Sequence, residues 1–266
     1  MMKFFDASQN AELEPVALIL GDVMREAERV GADIMVVGAA ARDILIRQVI
    51  GIPPSRATAD VDVAIAVSSW AEVAKLSEAL EPAGSVHRFR VRGTDVDIIP
   101  FGEIETEGRT ITWPNDHMMD VFGFREAFAH AVTVRMPSGA DVAVASLPAQ
   151  SLLKLFAWRD RRDQDRRDAI DFRSILDSYQ HGPYFDELYE TYGDLVEINE
   201  YVPGHAAAHR MGMEASRLIA LPDHRIVLDL LDDKETGDRL VEDMGGLRAE
   251  SSDLVSAYRR GFASAN

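Results

Sequence analysis

Residues 60–67, Asp-Val-Asp-Val-Ala-Ile-Ala-Val, alternate with a period of two, and alternation held over eight residues predicts a strand. Side chains two apart on a strand project to the same side. Asp60 and Asp62 therefore share one face, with Val61, Val63, Ile65 and Val67 on the other. Downstream, Asp95 to Pro100 reads as another strand and carries Asp97 between Val96 and Ile98. It can set a third carboxylate beside the first two. Convergent carboxylates on a sheet are what hard divalent cations and their phosphate ligands require. Acidic residues that merely solvate an exposed sheet face are the alternative.

Around this strand the pattern predicts an α/β (α+β) chain: a mixed-sheet domain over residues 1–146 followed by a mainly helical domain over 147–266. Glu12 to Val30 has helical spacing and stops at Gly31. Ile34 to Val37 reads as a buried strand ending at Gly38. Ala39 to Ile50 is then a helix closed by Gly51 and Pro53-Pro54, and Ser69 to Leu80 a helix with Ser69 as its N-cap. Val86–Val91 and Asp95–Pro100 form a hairpin through Arg92-Gly93-Thr94. Ala131–Met136 and Ala140–Ala145 form another around Pro137-Ser138-Gly139. Arg109 to Trp113 adds an edge strand. After Pro148 the segments 150–158, 165–179, 184–192, 205–221, 225–231 and 236–244 read as helix. Residues 251–266 form a last helix or a fraying tail.

Composition narrows the function classes. The chain has 266 residues and no Cys, which excludes disulfides and thiolate metal sites and fits a cytoplasmic protein. Met1 to Asp6 lacks the basic and apolar pattern of a secretory signal, and no apolar stretch is long enough to span a membrane. With 28 basic and 45 acidic residues the net charge is −17, so the chain as a whole does not attract nucleic acid non-specifically. A local basic patch, a basic partner protein or a simply solvated surface are all compatible with that charge.

The turn Gly38-Ala39-Ala40-Ala41-Arg42-Asp43 follows a strand and opens a helix. Backbone N–H groups and the helix dipole hold phosphates at such places, although many strand–helix turns use Gly for packing alone. With Asp60, Asp62 and Asp97, this order resembles the nucleotidyltransferase fold of the DNA polymerase β superfamily. That family's pattern is a hydrophobic-Gly-Gly/Ser turn, then Asp-x-Asp/Glu, then a third acidic residue between apolar ones. The run from Val37 to Leu45 is also similar to the head of tRNA nucleotidyltransferases. Arg56-Ala57-Thr58-Ala59-Asp60-Val61-Asp62 and, later, Lys154…Arg161…Arg167-Asp168-Ala169-Ile170-Asp171 resemble motifs of the AbiEii/AbiGii toxin-type nucleotidyltransferases. The likeness covers about residues 30–180. Two departures stand out: Ala39 occupies the usual Gly or Ser position, and the Gly38–Asp60 spacing is longer than in compact members.

The resemblance implies a metal-dependent transfer of NMP from an NTP, ATP among them, to a hydroxyl acceptor, with release of pyrophosphate. Asp60, Asp62 and Asp97 would hold Mg²⁺ or Mn²⁺, and Asp97 would help deprotonate the acceptor. Lys154 would contact phosphates and Asp171 would be the further acidic residue. Gly38, Ala39, Arg42, Arg56, Thr58, Arg161 and Asp168 would line the nucleotide site, with Arg42 and Arg56 as phosphate or carboxylate partners. A toxin–antitoxin or phage-defence setting, tRNA as acceptor and a cognate antitoxin partner follow from the same likeness. An inactive nucleotide-binding protein of this fold, and a glycosyltransferase using Asp-x-Asp, remain rival readings.

Other residues carry less. His205 and His209 stand at i,i+4 but have no acidic residue between them, and packing is the simpler account. Trp113 and Trp158 read as core. Arg88, Arg90 and Arg92 fall on one strand face, as a strip for a nucleotide or RNA backbone or as charges guarding a sheet edge.

Overall fold

The computed structural model describes residues 3–52 and 60–264. Two units divide the chain: residues 1–49 with 56–146, and residues 50–55 with 147–266.

The first unit is built on an eight-stranded mixed sheet. Its elements are β1 (Phe4–Asp6), α1 (Glu14–Arg29), β2 (Asp33–Val37), α2 (Gly38–Arg42), β3 (Asp60–Val67), α3 (Trp70–Ala79), β4 (Glu81–Pro82), β5 (Arg88–Val91), β6 (Thr94–Gly102), β7 (Thr110–Thr112), β8 (Met118–Asp120), α4 (Phe124–Ala129), β9 (Val132–Arg135) and β10 (Asp141–Val144). The sheet runs β1-β9-β10-β2-β3-β6-β5-β4. At its centre β2 is antiparallel to β3, and β3 is parallel to β6. Ile34 to Val37 are buried, as their unbroken apolar run requires for a central strand. Helix α1 turns Ala17, Leu20, Val23 and Ala27 inward, a 3.6-residue stripe. The β5–β6 hairpin closes through Arg92 (φ 52°) and Gly93 (φ 82°). Two successive positive φ values are the type I′ geometry that matches strand twist.

One expectation is corrected here. Residues 110–112 do not edge the main sheet; β7 pairs with β8 in a separate two-stranded ribbon. Its Ile111 forms a small core with Trp113 and Val121, against which Trp70, Ile99 and Phe124 pack. A short strand that buries one side chain among aromatics finds its partner locally, a choice alternation alone does not reveal. Strand β1, which no periodicity marks, pairs in parallel with β9.

The second unit is helical: α5 (Leu147–Arg161), α6 (Arg167–Ser178), α7 (Pro183–Glu190), α8 (Gly193–Ile198), α9 (Pro203–Ser216), α10 (His224–Asp232), α11 (Lys234–Asp243) and α12 (Arg248–Ser264). Residues 248–264 thus form a full helix rather than a tail. Helices α9 and α12 cross at backbone contact. A Cβ on Gly212 would meet the Tyr258 carbonyl, and one on Gly261 would meet the His209 carbonyl. Trp158 is buried and donates its indole N–H to Asp243 at 2.9 Å. Among the described residues no helix is long and apolar enough to cross a membrane.

Candidate active site

Register decides which carboxylates meet. Across the parallel β3–β6 pair Asp62 stands opposite Asp97 and Asp60 opposite Asp95, so four carboxylates share one rung-by-rung patch. The strand β5 completes it from the other side: Arg88 stands opposite Asp97 and Arg90 opposite Asp95. Arg88 donates from Nε to Asp97 Oδ1 at 2.7 Å and from Nη2 to Asp97 Oδ2 at 2.6 Å. The same Nη2 lies 3.8 Å from Asp60 Oδ2. This is a fork-to-fork pair, the strongest geometry an Arg and a carboxylate can make. It holds the Arg88 guanidinium firmly protonated, first through the hydrogen bonds to Asp97 and then through that carboxylate's charge. Arg90 binds Asp95 at 2.8 Å and Arg92 binds Asp22 at 2.7 Å. The arginine strip is therefore fully engaged with carboxylates.

Beside Asp62 the chain makes its sharpest demand for glycine. Gly38 sits at φ 61°, and a Cβ there would run into the Asp62 carboxylate. The turn brings the Ala39 N–H to 3.4 Å from Asp62 Oδ2. Helix α2 begins at this point and continues as a π-helical stretch, Asp43–Ile50. Arg42 takes the carboxylate alternative: its side chain is 1% exposed and donates twice to Asp43 Oδ1, at 3.0 and 2.8 Å. Arg56 and Thr58 lie outside the described residues.

The chemistry of this patch suits a hard divalent cation. It offers carboxylate oxygens only, a glycine turn pressed against one of them, and a cationic group already shared by Asp97 and Asp60. Among the described residues no three acidic, His or Cys side chains are grouped for a metal ion. Asp97 is instead clamped by Arg88.

His87 directly precedes Arg88 in the chain. Its ring lies 5.8 Å from that of Trp113, and neither its Nδ1 nor the Trp113 Nε1 has a hydrogen-bond partner. Burial pushes the His87 imidazole below its ordinary pKa, only partly opposed by Asp97. Burial thus favours the neutral ring.

In the helical unit, Lys154 of α5 and Asp168 and Asp171 of α6 do converge. Lys154 Nζ donates to Asp168 Oδ1 at 2.9 Å and lies 2.8 Å from Asp171 Oδ2, while Arg161 reaches Asp168 Oδ2 at 2.7 Å. Asp171 is fully buried and the Lys154 side chain is 13% exposed. Burial works against the ammonium, but the charges of Asp168 and Asp171 outweigh it and hold the Lys154 pKa above the ordinary lysine value. The ammonium is favoured here, which leaves Lys154 unfit to act as a base. His205 and His209 form no metal site among the described residues; His209 Nδ1 is 3.2 Å from Asn199 Nδ2.

The family model for the nucleotidyl transferase AbiEii toxin of type IV toxin–antitoxin systems matches residues 45–248. The chain belongs to that family. AbiEii membership agrees with the mixed sheet and with the helices that follow it. No curated protein matches the sequence. Two solved structures are similar to this AbiEii chain. The solution structure of the antibiotic-resistance factor ANT(2'')-Ia has 12% identity, covering 70% of this chain and 98% of that one, with a TM-score of 0.40. The Thermotoga maritima CCA-adding enzyme, complexed with tRNA, has 11% identity, covering 96% and 80%, with a TM-score of 0.28.

Proposed function

We propose that this AbiEii-family nucleotidyltransferase moves a nucleoside monophosphate from an NTP to a hydroxyl acceptor and releases pyrophosphate. The observation that carries the proposal is the register that sets Asp62 beside Asp97, with Asp60 on the same face and Gly38 packed against Asp62. Asp60, Asp62 and Asp97 are the residues to hold Mg²⁺ or Mn²⁺. A cation held there would offset the negative charge that builds during attack on the α-phosphate. Asp97 orients the acceptor hydroxyl and takes its proton. The Gly38–Ala39 turn admits the triphosphate through backbone rather than a side-chain hydroxyl, since Ala39 supplies none.

Lys154 and Asp171 are the helical unit's assigned contributors, with Arg161 and Asp168 supporting them. Within that unit Asp171 and Asp168 keep the Lys154 charge in place. A tRNA acceptor and a cognate antitoxin are the partners we assign from the family.

The test is incubation with each labelled NTP, total tRNA and Mg²⁺. Label on the RNA and release of pyrophosphate, both absent in Asp62→Ala, are expected. No transfer to RNA or protein with any NTP overturns the proposal. Activity that survives substitution of Asp97, Lys154 and Asp171 together would favour an Asp-x-Asp glycosyltransferase instead.

A further inference from the structure

Three charged pairs cross from β5 and its turn, and one differs from the others. Arg90–Asp95 and Arg92–Asp22 each join one arginine to an aspartate outside the proposed site. Arg88 joins two aspartates that the site needs: it grips Asp97 with both oxygens engaged and extends to Asp60. Asp97 has two oxygens, and both are committed to the guanidinium. The fork takes one lone pair on each oxygen and sets a positive charge beside them, so a divalent cation meets the guanidinium as a competitor for that carboxylate.

We propose that Arg88 is a positioning residue that serves as the internal counter-ion of the carboxylate patch, yielding Asp97 to the divalent cation and turning its freed guanidinium to the polyphosphate that arrives with it. This rests on the metal-and-nucleotide reading above. The exchange is physically accessible. The Arg88 side chain is 35% exposed, so leaving Asp97 returns it to water rather than stranding a buried charge. The bond it gives up is charge-assisted, and a phosphate offers two oxygens to the same fork. Without a cation the arginine keeps Asp60 and Asp97 from facing each other uncompensated. Cation binding is thereby opposed by the protein's own arginine, and polyphosphate, by capturing that arginine, makes cation binding tighter. The coupling is reciprocal: the cation must strengthen polyphosphate binding by the same factor.

The experiment measures Mn²⁺ binding by electron paramagnetic resonance of the free ion, with and without pyrophosphate, on the full chain. Arg88→Gln removes the competitor and is expected to tighten Mn²⁺ binding without pyrophosphate by about tenfold. Arg90→Gln removes an equal charge one rung away and is expected to change it less than about threefold. Added pyrophosphate should tighten Mn²⁺ binding strongly in the wild type and in Arg90→Gln, and weakly in Arg88→Gln. Arg88→Lys keeps the charge without the fork and should fall between; it serves if Arg88→Gln does not fold. Unchanged or weaker Mn²⁺ binding in the folded Arg88 variants overturns the proposal. So does equal tightening in Arg88→Gln and Arg90→Gln, which is a pure net-charge effect. Asp62→Asn separates the two levels. If the wild type binds Mn²⁺ and Asp62→Asn does not, a failure of the Arg88 variants sinks the counter-ion alone. If no Asp62-dependent binding exists, the metal reading falls with it.

Discussion

Two clusters of opposite charges, one in each unit, are built from the same residue types and held differently. On the sheet, Arg88 and Asp97 meet through side chains that are 35% and 12% exposed, on neighbouring strands. In the helical unit, Lys154 lies between Asp168 and Asp171, with Asp171 wholly out of water. The sheet pair is lopsided: when it opens, water receives Arg88, while the nearly buried Asp97 must be met by another cation. A buried one is costly to break from one side, because the remaining charge has no solvent to go to. The sheet cluster is thus suited to change partners and the helical cluster to keep them.

That contrast breaks most sharply in turnover. Asp62→Asn keeps the shape of the side chain and removes its charge. It is expected to lower NMP transfer by on the order of 10²–10³-fold while melting within a few degrees of wild type; steady-state rates and far-UV dichroism check both halves. The reverse profile is expected on the other side. Asp171→Ala strands the Lys154 ammonium and should cost about 3 kcal/mol or more in urea denaturation. Replacing the pair together, Lys154→Met with Asp171→Leu, should recover much of that loss. A stable Asp171→Ala would show that the helical cluster is as exchangeable as the sheet one.

Gly38→Ala is expected next, at about 1–3 kcal/mol, from a left-handed backbone and a methyl group set against Asp62. Its turnover should fall as well, since the clash moves the carboxylate.

Acidity sharpens the comparison further. The folded-state pKa of Lys154 is raised, so its stabilising share is fully present below the unfolded lysine value, about 10.4. That share disappears as pH rises through the folded value. Melting curves should therefore fall more steeply above about pH 10.4 in the wild type than in Lys154→Met. The smallest effect is that of Arg90→Gln on stability, under about 1 kcal/mol, because the Arg90 and Asp95 side chains are both partly exposed.

Much of the sheet was legible because its signals are local. The alternation at 60–67 and the Arg92-Gly93 turn lie within a few residues, and both β3 and the β5–β6 hairpin form where they point. The convergence of Lys154, Arg161, Asp168 and Asp171 was legible in part. The i,i+3 and i,i+7 spacings put each pair on one helix face, but not the two faces against each other. What stayed hidden is lateral pairing. Nothing near Arg88 says that Asp97 will stand across from it, because that depends on a one-residue choice of register. Residues 4–6 carry no pattern and become β1 only because β9 offers an edge. Arg109–Trp113 read correctly as extended chain, yet its partner is Met118–Asp120 rather than the large sheet.

That first strand sets a clock. Phe4 pairs with Thr133, and Asp6 with Arg135. During synthesis at roughly 5–20 residues per second, the opening segment waits on the order of ten seconds for its neighbour to emerge. Strands 33–37, 60–67 and 94–102 can associate before that. Once residue 102 has cleared the ribosome and before residue 132 has, the carboxylates are free to align while the sheet is still open on one side.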